Sequence, residues 1–502
     1  MLDVRLAGYN ADADIIEKLK TGRWDGKNNV TPETISAAYA RISRDPRPVY
    51  ELRKISSDEV DKARSSNENI VFKMGHHSVA EHAMLNFDIL GLSRLAVEYL
   101  QEARLASYTE KSQRYITLEG DYVTPEEFSE KSRKIFQDTV SKQVAAYKQL
   151  FPVLWEYQKN KNPRHLETKA GQNMVEGWGK EDARYVLALA TECQTGFSAN
   201  ARNLEHIIRK LKNCPLKEGQ ALGRMLYDRA KEVAPSLVIL ADPEAFKKQF
   251  GFDIDGGIMD TGGALLEKTA EKYCEGEGGG KEDKNSDVRL IRSTEDPDTE
   301  IIAALLFESK KRDYSGAFKT AVKLKKENRQ KDFFKDVLYG LSPFDSLYRA
   351  FETVDFIFEA DMSSSAFAQM KRHRMMTIIK HDYDPDLGFT APPSVEETGN
   401  GEVFEKIMKI SEDAYGKIYN EDKNAAEYIL TNAHKRRILI NVNLRELYHI
   451  ARLRMDKHAQ WDIQNISSAM IELAKEKAPL AAALACGKDE FNAVYNDFMD
   501  RV

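Results

Sequence analysis

An internal duplication limits the possible folds of this chain more than any other feature of its sequence. Asp-Val-Arg-Leu at residues 3–6 recurs at 287–290, and Asn-x-Arg-x-Leu-x-His-Ile-x-Arg at 200–209 recurs at 443–452. Solenoid repeats have periods of roughly 20–50 residues, far shorter than the spacing of these matches. The sequence therefore predicts two tandem copies of one domain.

The boundary between the copies is a Gly-rich, charged stretch. Residues 275–287 read EGEGGGKEDKNSD, a composition typical of a flexible linker. We therefore assign residues 1–272 to the first repeat, 273–287 to the linker and 288–502 to the second repeat.

The local patterns favour a mixed architecture with few strands and long helices. Val354–Glu359 alternates as a half-buried strand would, and Asn86–Ile89 occupies the matching place in the first repeat. Thr124, followed by Pro125, has the features of a helix start, and a long amphipathic pattern follows it. The α+β class is therefore expected.

Composition narrows the class of protein further. Lys and Arg number 74 against 80 Asp and Glu, a net charge of −6, which does not favour a dedicated nucleic-acid binder. We see neither a signal-peptide core nor an apolar run of membrane-spanning length, so a cytoplasmic location without membrane contact is expected. Widely spaced cysteines fit a reducing compartment and argue against zinc or disulfides; they are Cys193, Cys214, Cys274 and Cys486.

The second repeat contains the densest cationic run. Gln369 precedes Lys371-Arg372-His373-Arg374, and arginine forks suit a phosphate or a polarised carbonyl. A solvated basic helix face is the alternative. Further on, His458 stands three residues before Trp461, and a packed histidine is the first interpretation of that pair.

The first repeat offers two further clusters. Glu110, Ser112 and Arg114 alternate, which suits a turn or extended segment that binds an anionic ligand with hydroxyls. A surface ion pair is the alternative interpretation. Gly75–His82 holds three histidines and Glu81, but its spacing is not that of a zinc-protease helix, so we predict no metal site.

Together these motifs resemble the flavin-dependent thymidylate synthase family. Its signature is Arg-His-Arg followed by Ser, Asn-Glu, Ser and Arg at fixed spacing. Gly-His-x-Ser/Thr-x-x-Glu-His lies upstream, and Asn-x-Arg, Leu-x-Arg and His-Ala-Gln-Trp lie downstream. The resemblance covers nearly the whole chain, once per repeat. It implies two tandem copies of the family's fold, an antiparallel sheet with long helices.

Neither repeat keeps the whole signature, and the two losses are complementary. The second repeat has Gln369, Arg372, His373 and Arg454 where the first has Tyr99, Glu102, Ala103 and Leu211. The first repeat has Glu110, Ser112, Arg114 and Arg184 where the second has Lys380, Asp382, Asp384 and Glu427. The resemblance implies one complete composite site and one blocked site. It also implies a homodimer equivalent to the family's four-domain assembly.

The resemblance further implies an FAD-dependent reductive methylation of dUMP to dTMP, with methylenetetrahydrofolate and NADPH as co-substrates. Arg454 would be the catalytic residue, at the uracil edge. The implied dUMP ligands are Gln369, Arg372, Glu110, Ser112, Arg114, Arg184 and Arg454. The implied FAD ligands are Arg372, His373, Arg374, Ser78, Glu81, His76, Glu110, Asn443, Arg445, His449 and His458.

Two alternatives remain open at this point. A flavoenzyme of the same family could make another C5 modification of a pyrimidine nucleotide. A non-catalytic nucleotide-binding derivative is the other alternative, and the complementary losses disfavour it. None of the cysteines has the Pro-Cys-His context of the thiolate-dependent synthases, which agrees with a flavin route that needs no protein nucleophile.

Overall fold

The computed structural model describes residues 1–114, 116, 118, 120–251, 264–274 and 286–500. The chain forms two compact units. The first unit comprises Met1–Ser141, Ala188–Gly278 and Ala414–Ile429, and the second comprises Lys142–Leu187, Gly279–Asp413 and Leu430–Val502. Each unit therefore includes a segment from the other sequence repeat. The repeat boundaries stay a prediction, and residues 275–285 of the linker lie outside the described residues.

The first half of the chain contributes these strands and helices to the described structure: β1 (Asp3–Tyr9), α1 (Ala13–Lys20), α2 (Glu33–Arg41), α3 (Val49–Asp58), α4 (Val60–Asn67), β2 (Met84–Ser93), α5 (Arg94–Leu100), β3 (Ala106–Glu110), α6 (Glu130–Lys161), α7 (Lys169–Ala183), β4 (Glu192–Asn200), α8 (Ala201–Lys212), α9 (Lys217–Val233), α10 (Pro243–Phe250) and α11 (Ala264–Tyr273).

The second half contributes β5 (Val288–Ser293), α12 (Pro297–Glu308), α13 (Tyr314–Lys326), α14 (Gln330–Val337), β6 (Asp355–Ser363), α15 (Ser364–Met370), β7 (Thr377–Tyr383), α16 (Pro393–Glu397), α17 (Gly401–Tyr419), β8 (Lys435–Asn443), α18 (Leu444–Arg454), α19 (Trp461–Lys477) and α20 (Phe491–Asp500). Short 3-10 helices at Arg184–Val186 and Ala426–Ile429 occupy corresponding places in the two halves.

Each unit is built around a four-stranded antiparallel sheet. The strand order is β1-β2-β4-β3 in the first unit and β5-β6-β8-β7 in the second. The same order in both units confirms the α+β class and the tandem fold expected from the sequence.

One face of each sheet forms the core of its unit. Along β2, Leu85, Phe87 and Ile89 are buried while the residues between them are exposed, as an antiparallel strand with one covered face requires. Phe87 faces Phe197 across the ladder, with ring centroids 5.8 Å apart. In the second unit Phe358 pairs with Ile440 in the equivalent place. The strands at 86–89 and 354–359 are thus confirmed.

The junction between the second strand and its following helix is the same in both units. Ser93 ends β2, and its Oγ accepts the backbone N–H of Ala96 at 3.0 Å. Ser363 ends β6 and caps α15 through Ala366, also at 3.0 Å. A serine at this position satisfies one of the free N–H groups at the helix start.

The long amphipathic helix exists, but its expected start was wrong. The helix α6 begins at Glu130, and Ser129 accepts the backbone N–H of Ser132 at 3.0 Å. Ser129 is therefore the N-cap instead of Thr124. Among the described residues, no helix combines the length and the apolar character needed to cross a bilayer.

Candidate functional site

The cationic run of the second repeat lies just beyond the end of α15. Gln369 is buried on the last turn, and the backbone N–H of His373 bonds to the carbonyl of Met370 at 3.0 Å. Arg372 and Arg374 are exposed, whereas His373 is 3% exposed. The run is therefore not a solvated helix face. Its position also places positive charge at a helix C-terminus, where it is favoured.

Two charged side chains hold the buried imidazole of His373. Its Nδ1 lies 3.2 Å from Oε1 of Glu446, and its Nε2 lies 2.9 Å from Nε of Arg454. An arginine Nε–H can only donate, so Nε2 is the acceptor and the proton of the neutral ring is on Nδ1. Burial lowers the pKa of His373, although Glu446 opposes that shift.

His449 completes a cluster whose geometry could hold a metal ion. Its ring meets that of His373 edge-on, with centroids 5.5 Å apart. One ligand atom each from His373, Glu446 and His449 lies within 4.8 Å of the others. The chemistry of these atoms argues against a metal ion. The Nδ1 of His373 that faces Glu446 carries a proton, and Arg454 adds a positive charge beside the ring. The cluster therefore does not fit a cation.

A buried chain of hydrogen bonds connects Gln369 to the segment that the first repeat supplies. Gln369 donates to Gln460 at 2.7 Å, and Gln460 donates to the hydroxyl of Tyr185. Tyr185 donates to Asp462 at 2.8 Å, and Ser363 donates to the same carboxylate oxygen. Burial raises the pKa of both Asp462 and Tyr185. Every hydrogen bond in this series joins groups that are buried away from water, so breaking any one of them lowers the free energy of unfolding.

Arg184, the residue before Tyr185, belongs to the first repeat in sequence but to the second unit in the structure. It is 5% exposed, and its backbone carbonyl accepts the amide N–H of Asn432 at 2.9 Å. Its Nε donates to the carbonyl of Glu181 at 3.3 Å. The structure thus places Arg184 in the same unit as Gln369, His373 and Arg454.

The first unit contains the counterpart of this arrangement. Tyr428 of the second repeat donates to Glu218 at 2.7 Å, and Ser93 donates to the same carboxylate at 2.6 Å. Burial raises the pKa of Glu218. Here the residue before the tyrosine is Glu427, which is buried, where the second unit has Arg184.

The Glu110 carboxylate of the first unit is held in a buried ion pair. It lies 2.7 Å from Arg94 and accepts a hydrogen bond from Gln101 at 3.0 Å. Burial opposes ionisation of Arg94, but Glu110 raises the pKa of that guanidinium. Glu110 is the last residue of β3. Beyond the strand, the backbone N–H of Arg114 donates to the Oγ of Ser112 at 3.1 Å. The pair is therefore buried, not at the surface.

The histidine motif of the first unit is open to solvent. His76, Ser78 and Glu81 are all exposed, and Glu81 forms an ion pair with Arg202. In the second unit, Arg445 pairs with Glu352 at 2.7 Å in the same way. Both units keep this pair, which is compatible with a role in the fold as well as with ligand binding.

The remaining predicted residues lie near the ends of α18. Asn443 caps the helix by accepting the backbone N–H of Glu446 at 2.9 Å. His458 follows the helix and is exposed, so the expectation of a packed histidine was wrong. Trp461 instead stacks on Tyr185, with ring centroids 5.6 Å apart.

Glu446 and Tyr185 are not among the site residues that the sequence predicts. Glu446 could have been found from the repeat, since the first copy has Asn203 at that place and has also lost His373 and Arg454. Tyr185 gave no such signal, because Tyr428 keeps a tyrosine there in the second copy.

Comparison with known proteins places this duplicated α+β protein in a family. The family model described as thymidylate synthase complementing protein matches residues 27–236 and 289–480, together more than half of the chain. The chain belongs to this family, and its predicted resemblance to the flavin-dependent thymidylate synthases is confirmed.

Relatives match either the whole chain or part of it. A UPF0159 protein of Thermoplasma acidophilum is 24% identical over 489 residues, 89% of this chain and 94% of that protein. A flavin-dependent thymidylate synthase of Geobacter sulfurreducens is 32% identical over 220 residues, 42% of this chain and 83% of that protein. A solved UMP/dUMP methylase of Streptomyces cacaoi, bound with 5-Br dUMP, is similar over 49% of this chain and 95% of its own, with 16% identity and a TM-score of 0.33.

Proposed function

We propose that the chain is an FAD-dependent thymidylate synthase that converts dUMP to dTMP with methylenetetrahydrofolate and NADPH. Family membership supports the reaction type. The observation that carries the proposal for this chain is the placement of Arg184. It comes from the repeat that lacks Arg372, His373 and Arg454, yet it lies in the compact unit that contains them.

Arginine side chains at the positions that match the family signature would bind the nucleotide. Arg114 and Arg184 would hold the phosphate, since guanidinium groups match its oxygens in pairs, and Ser112 would add a hydroxyl donor. Gln369, Arg372 and Glu110 complete the proposed dUMP ligands. Glu110 has a second task, because its carboxylate already neutralises Arg94.

Arg454 would act on the uracil ring. A guanidinium at the ring edge favours ionisation of N3, which raises the electron density at C5 and makes C5 a better nucleophile towards the one-carbon donor. The neutral state of His373 suits this role, because Arg454 then rests against a lone pair and not against a second cation. No side chain of the protein needs to form a covalent bond with the substrate in this scheme.

The residues around α15 fit an anionic, planar cofactor such as FAD. Arg372 and Arg374 bring two exposed guanidinium groups to one turn beside the buried ring of His373. Both ring nitrogens already bond to Glu446 and Arg454, so His373 would contact the flavin through the face or the carbon edge of its ring. When bound, FAD supplies the hydride. The other proposed ligands are His76, Ser78, Glu81, Asn443, Arg445, His449 and His458.

Anaerobic incubation of the purified protein with FAD, NADPH, methylenetetrahydrofolate and dUMP tests the proposal, with mass spectrometry of the nucleotides as readout. Formation of dTMP is expected. Oxidation of NADPH with unchanged dUMP would contradict the substrate assignment, and other pyrimidine nucleotides would then be tested for C5 modification. Absence of both flavin binding and nucleotide binding would contradict the enzyme assignment itself.

A further inference from the structure

Glu446 belongs to none of the proposed ligand sets, yet it is buried beside them. It lies in the first turn of α18, and Arg454 is the last residue of the same helix. The imidazole of His373 connects the two side chains, at 3.2 Å from the carboxylate and 2.9 Å from the guanidinium Nε. A carboxylate, an imidazole and a guanidinium thus form one row.

The polarity of this row is fixed by chemistry. Because the Nε–H of Arg454 must donate, the proton of His373 lies on Nδ1 and points at Glu446. The negative carboxylate makes that contact a charge-assisted hydrogen bond, which is stronger than a neutral one. The opposite tautomer would set two N–H groups against each other at 2.9 Å.

The repeats indicate that the three residues act as a set. The corresponding positions of the first repeat hold Asn203, Ala103 and Leu211. Asn203 there makes a local bond to the side chain of Asn200 at 2.9 Å. The copy that lost the arginine has therefore also lost the imidazole and the carboxylate.

We propose that Glu446 is a positioning residue that holds His373 in its Nδ1–H tautomer and thereby orients the guanidinium of Arg454 towards the nucleobase. The bond from Nε fixes the rotation of the guanidinium plane, which gives its terminal amino groups one direction. This inference rests on the proposed function for the identity of the substrate, but the row of hydrogen bonds can be tested without it.

The first test reads the tautomer directly. In full-length protein labelled with ¹⁵N at histidine, the signals of His373 are assigned by their absence in His373→Gln. We expect a neutral ring with the proton on Nδ1 at pH 7, in the wild type and in Glu446→Gln. Glu446→Leu removes the acceptor of the Nδ1–H and should lose this pattern; retention of the pattern would mean that Arg454 alone fixes the tautomer and would overturn the positioning role of Glu446. A ring protonated on Nε2 or on both nitrogens in the wild type would overturn the proposal.

The second test measures how the row of hydrogen bonds affects catalysis. Glu446→Leu should lower kcat for dUMP methylation by roughly 10- to 100-fold, the range typical of hydrogen-bond partners that orient metal-ligating side chains. The KM for dUMP should change less than kcat. Glu446→Gln should recover most of the activity, because its amide oxygen can accept the Nδ1–H. Asn203→Ala is the matched control at the corresponding position, and it should leave kcat unchanged.

Equal impairment of Glu446→Gln and Glu446→Leu would overturn the proposal. So would stoichiometric binding of Zn²⁺ to the wild type that is lost in Glu446→Gln, because the cluster with His449 would then be a metal site. If the wild type makes no dTMP while the ¹⁵N pattern is as expected, the proposed function fails and the row of hydrogen bonds is supported independently.

Discussion

The hydroxyl of Tyr185 donates a hydrogen bond of 2.8 Å to the carboxylate of Asp462, a residue 277 positions further along the chain. The bond joins a segment of the first repeat to the first turn of α19 in the second repeat, within one compact unit. Because the equivalent bond joins Tyr428 to Glu218 in the first unit, the two repeats exchange corresponding segments.

Tyr185→Phe is expected to lower both stability and activity. The change removes the donor to buried Asp462 and the acceptor of Gln460, which should lower the free energy of unfolding by about 1–3 kcal/mol. It should also lower activity, because Gln369 is held through Gln460. Urea denaturation and dTMP formation measure the two effects. Tyr428→Phe is the matched control, with similar destabilisation and a smaller loss of kcat; equal loss of kcat in both would contradict the account.

Lowering the pH should cost stability through His373. Burial lowers the pKa of this group below 6.5, Glu446 opposes the shift, and Arg454 and His449 add to it. The unfolded chain therefore binds a proton near pH 6.5 that the folded chain binds only at lower pH, so the free energy of unfolding falls as the pH drops through 6.5.

The measurement for this prediction compares the wild type with His373→Gln in urea between pH 8 and pH 5. The stability difference in favour of the wild type should shrink below pH 6.5. A difference that grows on acidification would mean that the folded protein prefers the charged imidazole, contrary to its contact with Arg454.

Removing Arg94 should strongly destabilise the first unit. Arg94→Ala leaves the buried Glu110 carboxylate without its counter-charge, a change that typically costs about 3–5 kcal/mol. The double variant Arg94→Met with Glu110→Met should recover most of that loss, because both charges of the buried ion pair are then removed. Urea denaturation distinguishes the three proteins. Wild-type stability in Arg94→Ala would contradict a buried ion pair between Arg94 and Glu110.

The sequence predicted the class and the repeated architecture, because alternation and repeated motifs are local signals. The strand around Phe87 and its counterpart around Phe358 are examples. It misplaced the start of α6, since Thr124-Pro125 has the chemistry of a cap while Ser129 makes the actual capping bond. Local patterns do not report contacts across distant sequence, so the bond of Tyr185 to Asp462 could not be predicted.

Some of the proposed site residues can be predicted from the sequence, whereas the contacts of others are seen only in the fold. The complementary losses predict Arg372 and Arg184 as site residues from sequence alone, because each is replaced by a residue of opposite charge in the other repeat. The role of His373 depends on Glu446 and Arg454, which lie 73 and 81 residues away. Only the fold shows that both nitrogens of its ring are engaged.

The central claim is that residues from both repeats build one working site, and a set of four variants in the dTMP assay tests it most directly. Arg372→Ala in the second repeat and Arg114→Ala in the first should each abolish dTMP formation. Glu102→Ala and Asp384→Ala, the changes at the corresponding positions of the opposite repeats, should leave it near the wild-type rate. Robust activity in Arg372→Ala or Arg114→Ala would contradict a composite site.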